Sequence, residues 1–293
     1  MMRKWSAALA LCALCATLRA AEPVSISKSD RGCMVETGRF RVEFRNAVVV
    51  SLFNKLTQEE YLDGAASMAA IQPHLPSGMG TQHGEPARAA SEQLYKMPWW
   101  EHRNDLSLPN QHYPDAESVF TYVEKNAAAC RLEYRNLTDG QQRYPDETFA
   151  LALDVEAATG DLLVTPEGAS PRSGVFGANL VFAPMASAVT AEAPIADGMR
   201  ISRQNTGPVL WTNLWPSYWT FGFLAFNGWK EGAFGVWTED KNIRFYKALF
   251  YLNNNEGLSF SFSMMSIPPF EEKTACVAPL PWRIQAYKSS WHE

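Results

Sequence analysis

The segment Arg39-Phe40-Arg41-Val42-Glu43-Phe44 alternates charged and apolar residues with strict period two. Successive side chains of a strand point to opposite faces, so Phe40, Val42 and Phe44 share one face and the charges share the other. A sheet built from such segments has an apolar face to bury and needs a second layer to bury it against. Further strand signals follow at Val48–Phe53 and, after a tight turn, at Leu56–Leu62. Others lie at Ser118–Glu124, Cys130–Arg135, Phe149–Val155 and Leu162–Val164. Near the C-terminus strands are expected over 220–227, 233–238, 244–252, 257–265 and 281–288. Asn227-Gly228 and the run Asn253-Asn254-Asn255-Glu256-Gly257 break them in the manner of hairpin turns. The stretch 166–207 is rich in Ala, Gly and Pro and gives no clear signal.

Aromatic residues make up 12% of the chain, beside 18 Gly and 18 Pro, the composition of strands and turns. Neither heptads nor internal repeats are evident. The expected fold class is therefore all-β: a large antiparallel β-sandwich over 21–280, with a long irregular insertion. That insertion covers 64–116, where Pro and Gly recur and four of the five His residues lie. Loops of that length inside a compact domain often carry function.

Residues 1–20 read as a cleaved signal peptide. Arg3 and Lys4 form a basic start, Ser6–Leu18 an apolar run too short to span a bilayer, and Leu18-Arg19-Ala20 a cut site. The mature chain is then expected to be secreted or periplasmic, with no membrane attachment. The formal net charge of -5 argues against a nucleic-acid partner, which would demand a basic face. After cleavage Cys33, Cys130 and Cys276 remain. Three cysteines leave at least one unpaired, and the sequence does not choose between one bridge and three buried thiols.

Catalytic motifs are sparse. His74, His83, His102 and His112 show no i, i+4 metal spacing, no Gly-x-Ser-x-Gly elbow frames a serine, and no metal or cofactor is expected. Glu101 and Asp105, or Glu239 and Asp240, could supply a carboxylate pair, yet acidic residues are frequent enough for such pairs to arise by chance. Aromatic platforms are more suggestive. Trp99-Trp100-Glu101-His102 and the run from Trp211 to Trp219 mix indoles with amides and carboxylates, as sugar-stacking surfaces do. The competing reading is that these rings belong to the core, where Trp and Phe bury the most apolar area.

Two segments carry a family resemblance. Val48–Leu62, ending Lys55-Leu56-Thr57-Gln58-Glu59-Glu60-Tyr61-Leu62, resembles the early strand–turn–strand of the β-supersandwich, the galactose-mutarotase-like domain that precedes the barrel in several glycoside hydrolases. Gln58 stands where that pattern has Gly. Gly232–Asp240 through Lys247 resembles later strands of the same domain, and Arg283–Trp291 the strand leading into the barrel. The resemblance implies a sandwich joined to a (β/α)8 barrel. A barrel takes about 250 residues, and the sequence stops at Glu293, so 281–293 is expected to be a junction to a missing barrel. No catalytic residue carries over.

The expectation is thus a secreted, carbohydrate-associated module of glycoside-hydrolase type that lacks hydrolase activity by itself. Its partners would be carbohydrate and a catalytic barrel on a downstream segment. Trp99, Trp100, Trp215, Trp219 and Asp240 are the expected carbohydrate contacts. Two alternatives stand beside it. One is an enzyme in its own right, with Glu101, His102 and Asp105 brought over the sandwich by the 64–116 segment. The other is an extracellular protein-interaction module using an aromatic patch.

Overall fold

The computed structural model describes residues 24–64, 67–96, 110–196, 198–207, 210–215, 219–240, 247–277 and 280–289. Two large sheets pack face to face. The first runs in the order Ser25–Ser29, Gly32–Glu36, Phe40–Arg45, Val48–Asn54, Val175–Phe182, Gly257–Met265, Lys247–Asn254, Leu210–Trp215. The second runs Met199–Ile201, Thr190–Ala193, Phe223–Asn227, Ala233–Trp237, Trp282–Tyr287, Leu162–Ala169, Arg143–Val155, Ala129–Thr138, Val119–Asn126. Pairing is antiparallel except where Val48 and Val49 meet Val181 and Phe182. This is the all-β sandwich that the period-two segments predict.

The alternation does the layering. Phe40, Val42 and Phe44 are buried and the residues between them are not. Trp282, Ile284 and Ala286 do the same from the other sheet. The inner faces interlock through rings: Phe182 lies 5.5 Å from both Phe226 and Phe262, and Phe262 lies 5.3 Å from Trp282. The Asn253–Gly257 hairpin forms as the sequence predicts, with Asn254 opposite Gly257. Gln58 sits at φ +58, in the left-handed region, at the position where the resembling pattern has glycine.

Two regions hold more order than their sequence displays. Within 64–116 lie a helix at Glu85–Lys96 and short strands at Met79–Thr81 and Asn110–His112. The helix follows from Ala87, Ala89 and Ala90 with Glu, Gln and Lys around them, all good helix formers, and Pro86 in the first turn. It docks through buried Ala87, Ala90 and Ser91, whose hydroxyl donates to Glu271 at 2.8 Å and accepts from the Phe270 amide at 2.8 Å. Within 166–207 the strand Val175–Phe182 is buried at every position.

Arg283 ties the second sheet to the turn at 156–161. Its guanidinium meets Glu156 at 2.7 Å and the nearly buried Asp161 at 2.8 Å. The hydrogen bond from Arg283, helped by Thr159, holds the Glu156 carboxyl down at about 2. A carboxylate lowered by folding stabilises the fold fully above its unfolded value near 4.5, and that contribution is lost as pH falls towards 2. Glu156 is about one-third exposed, so solvent screening limits its share to about 1 kcal/mol. Glu36, Asp115, Asp139 and Glu147 are lowered too and act with the same sign. Urea midpoints are therefore expected to fall between pH 7 and pH 2.5; equal midpoints would overturn this account.

Candidate functional site

The insertion meets the second sheet beside Tyr113. The Tyr113 amide donates to the Thr138 carbonyl at 2.9 Å, and the Thr138 amide returns the bond to Tyr113 at 3.0 Å. This bridge brings the segments 73–76 and 110–113 against the turn at 139–144. Between them lies a cleft of about 460 Å³. Its polar lining is His74, Asn110, Gln111, Tyr113, Asp139, Gln141, Gln142 and Tyr144, with Pro73, Leu75 and Pro76 along one edge.

Local hydrogen bonds fix the turn. The Asp139 carboxylate accepts the amides of Gln141 and Gln142, each at 2.8 Å. Gly140 sits at φ +88, and a Cβ there would come within 3.1 Å of the Tyr113 hydroxyl, so the position suits glycine. The Tyr144 hydroxyl donates to Asp139 at 2.6 Å and accepts from the Gln142 side-chain Nε2 at 2.7 Å. Burial pushes the Asp139 carboxyl up, but the Tyr144 hydroxyl and the two backbone amides outweigh it, and the net effect is downward. Asp139 is therefore an ionised acceptor at neutral pH.

Behind the cleft wall is a buried polar group. His112 stacks on Tyr144 with ring centres 4.0 Å apart, and the Arg172 guanidinium carbon lies 4.9 Å from the centre of the same tyrosine ring. His112 Nδ1 pairs with the Glu147 carboxylate, and Nε2 is 3.2 Å from the Thr81 hydroxyl. Glu147 also accepts from Ser170 at 2.9 Å and Arg172 at 3.2 Å. Burial raises the Glu147 carboxyl, but His112, Ser170 and Arg172 lower it further, so it stays charged. His112 and Glu147 are almost completely buried. They hold Tyr144 in place rather than touching a ligand.

The residues expected from sequence fall elsewhere. Trp99 and Trp100, with Glu101, His102 and Asp105, lie outside the described residues. Trp215 ends the strand Leu210–Trp215 opposite Lys247, and its side chain lies outside the description too. Trp219 is a correction. It is fully buried, stacked on Trp282 at 6.2 Å, and its indole N–H donates to the Phe223 carbonyl at 2.9 Å. No ring face is left for a sugar, because the core takes both large indoles. Asp240 is a second correction: its side chain is 3% exposed and pairs with buried Lys247 at 2.7 Å. Desolvation lowers the Lys247 amine against the pull of Asp240. That pair is internal and presents no carboxylate to solvent.

Sequence reasoning missed Asp139, Tyr144, His112 and Glu147 as a group. His112 and Glu147 are 35 positions apart, and the strand bridge at Tyr113 lies next to their contact. The signal that pointed here was indirect: a long insertion bearing four His residues.

No family model matches the chain, and no curated protein matches it. Similar solved structures include the alpha-N-acetylgalactosaminidase NagBb from Bifidobacterium bifidum, at 11% identity and a TM-score of 0.48, over 88% of this chain and 36% of that one. The galactosidase domain of the alpha-galactosidase–sucrose kinase AgaSK matches at 8% identity and 0.49, over 91% and 42%. A galactose mutarotase-like protein from Lactobacillus casei ATCC 334 matches at 9% and 0.47, over 87% and 100%. The chain thus spans well under half the length of the first two and the full length of the third. The solved structures that this sandwich resembles in fold are galactose mutarotase-like proteins and the sandwich-bearing parts of galactose-processing enzymes.

Proposed function

We propose that this chain is an exported, carbohydrate-associated β-sandwich module that holds a glycan in the cleft between 73–76, 110–113 and 139–144. The observation that carries the reading is the chemistry of the lining. Asn110, Gln111 and Gln142 offer both donors and acceptors, Asp139 adds an ionised acceptor, and Tyr113 and Tyr144 add phenols. Carboxamides with a single carboxylate suit a neutral polyhydroxylated ligand, for which hydroxyls serve both roles. An anionic ligand would call for more positive charge than the single imidazole of His74 supplies. The volume falls within the range of about 300–1,000 Å³ usual for small-ligand pockets. The chain does not hydrolyse glycan by itself; its role is to hold it for a catalytic partner.

A second surface supports the packing part of this role. An open apolar trough of about 1040 Å³ is lined by Pro194, Met199, Phe221, Phe223 and Tyr287, and Phe221 is 67% exposed. Exposed apolar surface of that extent suits a protein neighbour.

The cleft is tested by calorimetric titration of the purified chain with a panel of neutral oligosaccharides, galactosides and N-acetylgalactosaminides included. The double variant Asn110→Ala with Gln142→Ala is expected to weaken binding at least tenfold, the loss of about 1.4 kcal/mol expected from two hydrogen bonds. Its melting temperature should be unchanged, since Asn110 and Gln142 are exposed. Binding that survives the double variant, or a panel with no binder, would sink the reading.

A further inference from the structure

Two of the three cysteines among the described residues face each other across the sandwich. Cys33 lies on Gly32–Glu36 of the first sheet and Cys130 on Ala129–Thr138 of the second, and both are fully buried. Period-two alternation turns Cys130, Leu132 and Tyr134 to the same inner face. Tyr134 shows how closely the layers approach there. Its hydroxyl donates to the Arg31 carbonyl at 3.0 Å, two residues before Cys33, and accepts from the Ala47 amide at 3.1 Å. Cys33 and Cys130 are both free thiols, and each lies close enough to the other to shift its titration. Cys276 is placed differently, with its thiol donating to the Met264 carbonyl at 3.6 Å.

We propose that Cys33 and Cys130 are an inter-sheet cross-link site: they form a disulfide when the chain folds in the presence of a small-molecule or protein disulfide, and Cys276 stays a thiol. This answers the question the cysteine count leaves open. One protein thiolate attacks a sulfur of the oxidant disulfide, forming a mixed disulfide and releasing one thiolate. The second protein thiolate then attacks the protein sulfur of that mixed bond, releasing the other. Two protein S–H groups become one S–S bond, the oxidant is reduced to two thiols, and the two protons pass to the departing thiolates. The hydrogen bond with Cys130 and burial both push the Cys33 thiol up once the core has closed. The exchange therefore belongs to folding, before the layers seal, rather than to the finished protein.

The test uses the full chain, denatured, reduced, and refolded with reduced and oxidised glutathione. Remaining thiols are alkylated in denaturant, and the protein is digested without reduction for mass spectrometry. The expected result is one cross-linked species joining the Cys33 and Cys130 peptides, two hydrogens lighter than their sum, with Cys276 alkylated. Closing a loop of roughly one hundred residues should raise the melting temperature of the oxidised protein by about 10 °C over the reduced one. Alkylation of Cys33 and Cys130 as well as Cys276 after oxidative refolding would overturn the proposal, as would any bridge through Cys276. The peptide map needs no variant, so it does not depend on Cys33→Ser folding; where that variant folds, its melting temperature should no longer respond to reductant.

Discussion

Trp282→Ala is expected to cost about 3–5 kcal/mol of stability and to lower the melting temperature by roughly 10 °C. Trp282 is fully buried on a strand that lies between Ala233–Trp237 and Leu162–Ala169. Its indole packs on Phe262 of the facing sheet at 5.3 Å and on Trp219 at 6.2 Å. Truncation empties a volume that a β-sheet backbone cannot collapse to fill, so both the transfer and the cavity contributions are lost. Trp282→Phe should cost much less. It keeps a ring against Phe262, and it removes an indole N–H that has no hydrogen-bond partner among the described residues. Thermal denaturation of the two variants separates these cases. A Trp282→Ala protein melting within two degrees of the parent would mean that this ring is not a centre of interlayer packing.

Glu147→Ala is expected to be about as severe, at about 3–5 kcal/mol. Glu147 accepts from three groups at once: His112, Ser170 and Arg172. Removing the carboxylate leaves a nearly buried imidazole without its acceptor and a buried hydroxyl without its own. Glu147→Gln retains the shape and an acceptor oxygen, so it should lose no more than about half as much. The two variants should also differ in the cleft. His112 holds Tyr144 by stacking, and Tyr144 holds Asp139, so Glu147→Ala should abolish glycan binding where Glu147→Gln only weakens it. Equal stability losses in urea for both variants would show that the charge, and not the geometry, is what Glu147 supplies.

Some strands are legible because they have one wet face, whereas Lys247–Asn254 and Gly257–Met265, buried almost throughout, are legible from the Asn253–Gly257 turn between them. Phe40–Arg45, Leu162–Ala169 and Trp282–Tyr287 alternate buried and half-buried residues along their lengths, and their periodicity reveals them. Val175–Phe182 gives no such signal because it has no wet face. The core covers one side, and on the other Phe176 packs on Phe270 at 4.3 Å. Its Gly177, Ala178 and Asn179 look like loop residues until their neighbours are known. Gly177 is there because a Cβ would come within 2.9 Å of the Met264 carbonyl oxygen. The helix at Glu85–Lys96 was hidden by the Pro and Gly residues on either side of a run only a few turns long. The cleft was illegible for a different reason. Asp139 and Tyr144 meet locally across one turn, but Asn110 and Tyr113, which face them, are distant in sequence, and the cleft exists only once the Tyr113–Thr138 bridge has formed. Trp219 shows the opposite failure: an aromatic-rich run that resembles a sugar platform in sequence is spent on the core.

The position of Trp282–Tyr287 bears on how the protein is made. It is the last described strand in sequence, yet it pairs with Ala233–Trp237 on one side and Leu162–Ala169 on the other. Until it leaves the ribosome the second sheet exists as two separate pieces, each with an open hydrogen-bonding edge. The first sheet likewise waits, because its Val48–Asn54 meander joins the rest only through Val175–Phe182. Translation therefore delivers a chain whose closure is governed by distant partners, a high-contact-order topology that folds slowly. Nascent intermediates of this kind expose sticky edges for as long as synthesis continues. A chaperone or translocation factor that engages extended polypeptide would have its longest opportunity before residue 282 appears, and its shortest immediately after.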